Sequence, residues 1–96
     1  MSYEIMITED VREFLDNLSK KDSRICRDNL KKLEGDPFPG GGRGDKEKLK
    51  NSEHYRIHIS REYTGIYLIT KSEKTVQVIE LMTIDKAHKK YGHYVR

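Results

Sequence analysis

The chain is short of several things at once. It has one cysteine and no tryptophan, and of its 96 residues only 8% are aromatic and 34% hydrophobic. A single thiol, Cys26, cannot close an internal disulfide, so a reducing compartment, the cytoplasm, is the expected location. Cys26 falls inside a helical pattern, where a thiol acts as a small apolar residue. No apolar run approaches the ~20 residues of a membrane span. The first residues show neither the charged start nor the apolar centre of a signal peptide. Both prolines, Pro37 and Pro39, lie in one short stretch, and five of the seven glycines gather there with them. That stretch, residues 35–45, reads as a loop. It lacks the strand before, the helix after and the Gly-Lys-Ser/Thr ending of a nucleotide-binding loop.

What the chain has in quantity is charge, 36% of residues with a net +3. Its length makes one domain, residues 1–96, whose core suffices for folding without staples but not by a wide margin. The charge is uneven. Residues 1–42 carry 7 Lys and Arg against 9 Asp and Glu, whereas residues 43–96 carry 12 against 7 and all four histidines. A basic half rich in imidazole points to a polyanionic partner, nucleic acid first. A lysine-rich surface also serves solubility alone.

Hydrophobic periodicity orders the chain. Residues 2–7 alternate as a first strand with Tyr3, Ile5 and Ile7 on one face. Thr8, followed by Glu9 and Asp10, is a helix start, and Val11, Phe14, Leu15 and Leu18 form an amphipathic stripe that reads as core. A second helix is expected over about 21–34, with Cys26, Leu30 and Leu33 inward and Gly35 ending it in a left-handed conformation. The two helices make an antiparallel hairpin. Residues 46–50 read as a short charged edge strand. Next comes an antiparallel meander: residues 54–70 as a hairpin turning near Arg61-Glu62, then residues 75–82, apolar enough for a central strand covered on both sides. The first strand should join the same sheet. The ending, residues 83–96, is a short basic helix or tail that interleaves lysine, histidine and tyrosine, a combination suited to phosphates and bases.

The most telling stretch is Tyr55-Arg56-Ile57-His58-Ile59-Ser60. Its alternation turns Tyr55, Ile57 and Ile59 to the core and Arg56, His58 and Ser60 to the other face, roughly 6–7 Å apart. A cation and an imidazole side by side on a rigid sheet suit the holding of a phosphate and the movement of a proton beside it. The same pair also makes an ordinary solvated strand face. The four histidines lack acidic or thiolate partners at usable spacing, so no metal site is expected.

Five segments, in this order, resemble the RelE/ParE superfamily of toxins from bacterial and archaeal toxin–antitoxin pairs. They are Leu33-Glu34-Gly35-Asp36-Pro37-Phe38-Pro39-Gly40; Lys48-Leu49-Lys50; Tyr55-Arg56-Ile57-His58-Ile59; Tyr63-Thr64-Gly65-Ile66-Tyr67; and Asp85-Lys86-Ala87-His88-Lys89-Lys90-Tyr91. The resemblance covers nearly the whole chain, and the basic ending with its tyrosine resembles the RelE-like branch more than the gyrase-directed ParE-like one. It implies an α+β fold: an antiparallel-dominated sheet of four to five strands, an N-terminal helical hairpin on one face and a short C-terminal helix. It implies a metal- and cofactor-independent endoribonuclease that cuts messenger RNA in the decoding site of the ribosome, held in check by a RelB-like antitoxin. The ribose 2′-OH would attack the adjacent phosphate and a 5′-hydroxyl would leave. Carried over position by position, Arg56 would hold phosphate and His58 would be the general base, since histidine ordinarily titrates near 6.5. Tyr91 would act as acid or stacking platform. Arg61, Lys86, His88, Lys89 and Lys48 would contact RNA or its phosphates. Where the family carries its next basic residue this chain has Thr64, for which Arg61 is the nearby substitute. A ParE-like inhibitor of DNA gyrase, or an inactive module that binds RNA or antitoxin, is the alternative.

Overall fold

The computed structural model describes residues 2–40 and 46–91, with Tyr91 only as the end of its helix. Nine elements follow in order: β1 (Glu4–Ile7), α1 (Glu9–Asp16), α2 (Lys20–Lys31), a 3-10 turn (Lys32–Glu34), β2 (Lys46–Lys48), β3 (Tyr55–Ile59), β4 (Tyr63–Thr70), β5 (Thr75–Thr83) and α3 (Ile84–Tyr91). No described helix is long and apolar enough to cross a membrane.

The five strands form one sheet in the order β1-β5-β4-β3-β2. β2, β3, β4 and β5 pair antiparallel in succession, and β1 lies parallel to β5 with Glu4 opposite Thr75. The sheet is therefore mixed but mainly antiparallel, with the first strand added at the far edge and β2 at the other, as the sequence leads one to expect.

Local chemistry explains the helical hairpin. The Thr8 hydroxyl accepts from Val11 N at 3.2 Å and caps α1. The Ser19 hydroxyl accepts from Asp22 N at 3.1 Å and starts α2 at Lys20, one residue before the expected position. The α2 exit corrects the sequence reading in a second way. The helix ends at Lys31, a 3-10 turn carries the chain to Glu34, and Gly35 stays right-handed at φ −84° and ψ −39°. The Gly35 and Asp36 amides both reach the Lys32 carbonyl, at 3.2 and 3.4 Å, so the terminal carbonyl is satisfied without a left-handed residue.

Two apolar clusters lie on the two faces of the sheet. The larger joins Val11, Leu15, Cys26, Leu30 and Leu33 of the helical layer to Ile57, Ile59, Tyr63, Tyr67, Val76, Val78 and Leu81. Gly65 lets the layers close: a Cβ there would stand 3.2 Å from Ile57 Cγ2 and 3.6 Å from Leu30 Cδ2. The Tyr67 hydroxyl, fully buried, donates to the Pro37 carbonyl at 2.7 Å and fastens the proline-bearing loop to the sheet. Ile7, expected to face the core, is instead 37% exposed at the end of the edge strand. The smaller cluster, Leu49, Ile66, Met82 and Ala87 with Ile79 against it, seats α3 on the opposite face. A Lys90–Glu80 ion pair holds the far end of that helix to β5.

Candidate active site

The site lies on the sheet face away from the helical hairpin. Residues directly opposite across paired strands share a face, so the registers define two rows. One row reads Glu47, Arg56, Ile66, Glu80; the next reads His58, Thr64, Met82. Arg56 and His58 do project from one face, as their alternation requires. Ser60 does not continue the row, because it has left the strand and entered a turn at φ 49°.

Arg56 is 4% exposed. Its Nη2 donates to Glu47 Oε1 at 2.9 Å, while its Nε is buried with no hydrogen-bond partner among the described residues. The same Glu47 oxygen lies 3.4 Å from His58 Nε2, and the His58 side chain is one-third exposed. One carboxylate thus sits between a buried guanidinium and an accessible imidazole. Nothing in the sequence singles out Glu47. It stands between two lysines on a short charged strand, and only the β2–β3 register places it against Arg56.

The remaining candidates divide. Thr64, 1% exposed, is the cross-strand partner of His58 and offers a hydroxyl where the family resemblance calls for a cation. Lys48 pairs with Tyr55 and therefore belongs to the other face from Arg56. Arg61 sits in the β3–β4 turn at φ 68°, lining a hollow of about 340 Å³ with Glu62, Tyr63, Thr83, Ile84 and Asp85. Lys86, His88 and Lys89 are exposed on α3, whose Ala87 points inward. Lys86 borders a second hollow between α1 and α3. Tyr91 closes α3 and its side chain lies outside the described residues.

The strongly displaced titrations belong to the other face. The Tyr63 hydroxyl donates to Asp22 Oδ2 at 2.8 Å. That bond, with burial and the nearby negative charges of Asp22 and Glu62, pushes its pKa up to about 12. Burial, then Asp22 and Glu62, push the Cys26 thiol up to about 11. Tyr67 is raised further still, chiefly by burial. These are structural groups of the hairpin–sheet interface, and Cys26 is held as an inert thiol.

No protein-family model matches the chain, and no curated protein matches it in sequence. Solved structures do match. A chain of the RelBE toxin–antitoxin complex from Mycobacterium tuberculosis superposes with a TM-score of 0.73 at 15% identity, over 86% of this chain and 99% of that one. The isolated E. coli RelE toxin gives 0.71 at 18%, over 93% and 98%. The archaeal RelE–RelB complex from Pyrococcus horikoshii gives 0.65 at 24%, over 86% and 96%. This chain therefore has the fold of the RelE toxins.

Proposed function

We propose that this protein is the toxin of a toxin–antitoxin pair, an endoribonuclease that cuts messenger RNA on the ribosome and is restrained by a RelB-like antitoxin. One observation carries the reading: the Glu47–His58 contact beside buried Arg56, on the α3 side of a sheet with the RelE fold. Cleavage through a 2′-OH needs a proton acceptor, a stabiliser of the charge that grows on phosphorus, and a proton for the leaving oxygen. His58, accessible and in contact with a carboxylate, takes the 2′-OH proton. The 2′ oxygen bonds to phosphorus, the P–O5′ bond breaks, and a cyclic phosphate and a protonated 5′-hydroxyl result, the latter proton coming from Tyr91. Arg56 is too enclosed to grip substrate as it stands. Its fixed charge underlies the site and holds Glu47 in place, so it acts through its neighbours, while Arg61, Lys86 and Lys89 supply cations for the RNA and His88 a hydrogen-bonding ring. The solved complexes of similar fold pair RelE with RelB, which supports the antitoxin partner.

Primer extension on messenger RNA loaded into ribosomes with tRNA tests this directly. Discrete cuts at the decoding-site codon are expected with the native protein and are expected to vanish with His58→Ala. Cuts that persist in that variant would remove His58 from the chemistry. No cuts with the native protein would overturn the nuclease reading and turn attention to gyrase supercoiling.

A further inference from the structure

β2 carries Glu47 but is only three residues long and lies at the edge of the sheet beside β3. Residues 40–45, just before it, are glycine at four of six positions, which offers few side chains to set its start. A slip of one residue along β3 would exchange the two faces of the strand and carry Glu47 away from Arg56 and His58. The ion pairs of Glu47 hold one face of β2. The structure holds the other face as well.

Alternate residues of a strand face opposite ways. Lys46, opposite Ile57 of the hairpin-side core, therefore points away from the site that Glu47 enters. Its side chain is 20% exposed, whereas Lys48, two residues on along the same face, is open to solvent. The Lys46 ammonium donates to the Asp36 carbonyl at 2.5 Å and stands 4.0 Å from the Asp36 carboxylate. The receiving end is itself anchored. The Asp36 carboxylate accepts from Phe38 N at 3.2 Å, and the Pro37 carbonyl takes the buried Tyr67 hydroxyl. The Phe38 ring meets Tyr55 edge to face, with centroids 6.5 Å apart. Tyr55 and Tyr67 are cross-strand partners on β3 and β4. The Lys46 bond thus ties the edge strand to a segment fastened to the centre of the sheet.

We propose that Lys46 is a positioning residue of the cleavage site: its bond to the Asp36 carbonyl pins β2 from the hairpin side and so holds Glu47 against Arg56 and His58 on the other. The plain alternative for an edge-strand lysine is a solvated charge that discourages strand-to-strand association. Lys48 fits that description. Lys46 does not, because it has given up most of its water for one carbonyl and one carboxylate, a cost that only a formed charge-assisted bond offsets. The part in cleavage rests on the function proposed above; the pinning of β2 does not.

The test has two arms, both on the full chain. The first is amide hydrogen exchange, followed by NMR, in the native protein, Lys46→Met and Lys46→Arg. Methionine keeps the apolar stem and loses the donor, while arginine keeps a cationic donor. The Glu47 and Leu49 amides are expected to exchange roughly tenfold faster in Lys46→Met, the effect of losing one hydrogen bond to a charged group. Lys46→Arg is expected to restore the slow rate, with α1 and β5 amides at native rates throughout. Native rates for Glu47 and Leu49 in Lys46→Met overturn the proposal, whether or not the protein cuts RNA. Equal acceleration along the whole chain overturns it too, since that marks a loss of global stability. The second arm is single-turnover cleavage of ribosome-bound messenger RNA, arranged as a cycle with Glu47→Gln. Lys46→Met is expected to slow cleavage roughly tenfold alone and by no more than about twofold where Glu47 is already replaced. A loss of the same size in both backgrounds overturns the proposal, because Lys46 then acts elsewhere than through Glu47. A native protein that cuts nothing removes the nuclease reading, and the exchange arm still decides whether Lys46 pins β2.

Discussion

One carboxylate oxygen organises the candidate site: Glu47 Oε1 lies 2.9 Å from Arg56 and 3.4 Å from His58. Glu47→Gln keeps the shape and a hydrogen-bond acceptor for Arg56 but removes the charge that orients His58. It is expected to lower the cleavage rate on ribosomes by roughly 10²-fold and, because it leaves the buried Arg56 guanidinium without a counter-charge, to lower the melting temperature as well. Arg56 and His58 were legible in the sequence because alternation alone puts them on one face. The burial of Arg56 was not, since it follows from partners on two other strands. Glu47 was invisible for the same reason. Pairing register between segments joined by a glycine-rich loop leaves no periodic trace, and a lysine-flanked glutamate looks like any solvated edge residue.

Elements were read better than their ends. The Thr8 cap, the Val11–Leu18 stripe and the meander follow from hydroxyl chemistry and hydrophobic period. The α2 exit did not, because a glycine after a helix suits a left-handed cap but does not compel one when a 3-10 turn already satisfies the Lys32 carbonyl. The β3–β4 turn is the most costly element locally. Ser60 and Arg61 both have positive φ, 49° and 68°, and Glu62 N bonds to Ile59 O at 3.1 Å. A turn of this kind favours Asn-Gly, and each residue with a Cβ in that region costs about 1–2 kcal/mol. The double replacement Ser60→Asn, Arg61→Gly is therefore expected to raise the free energy of unfolding in urea by about 1–2 kcal/mol. If Arg61 contacts RNA, the same variant will be more stable and cut less, a combination that damage to the fold cannot produce.

For the molecule as a whole, three groups at the hairpin–sheet interface, Cys26, Tyr63 and Tyr67, set the response to alkali. Cys26 rises from 9.0 to about 11 and Tyr63 from 10.0 to about 12, so the native state holds both protons more tightly than the unfolded chain. Their contribution is complete below about pH 9 and is lost as pH climbs through 9–12, for Cys26 roughly 2–3 kcal/mol at 1.36 kcal/mol per unit. The melting temperature is expected to be level from pH 7 to about 9 and to fall beyond it, and in Cys26→Ala the fall should begin nearer pH 10. The overall architecture was legible because each helix and strand announced its period. Period does not reveal how the sheet is joined. β3, β4 and β5 pair with near neighbours in sequence, whereas β1 pairs with β5 across 71 positions, Glu4 opposite Thr75. Local pairings close fast and distant ones slowly. On a chain synthesised from its N-terminus, β1 is made well before β5 and waits without that strand to join until β5 has been translated.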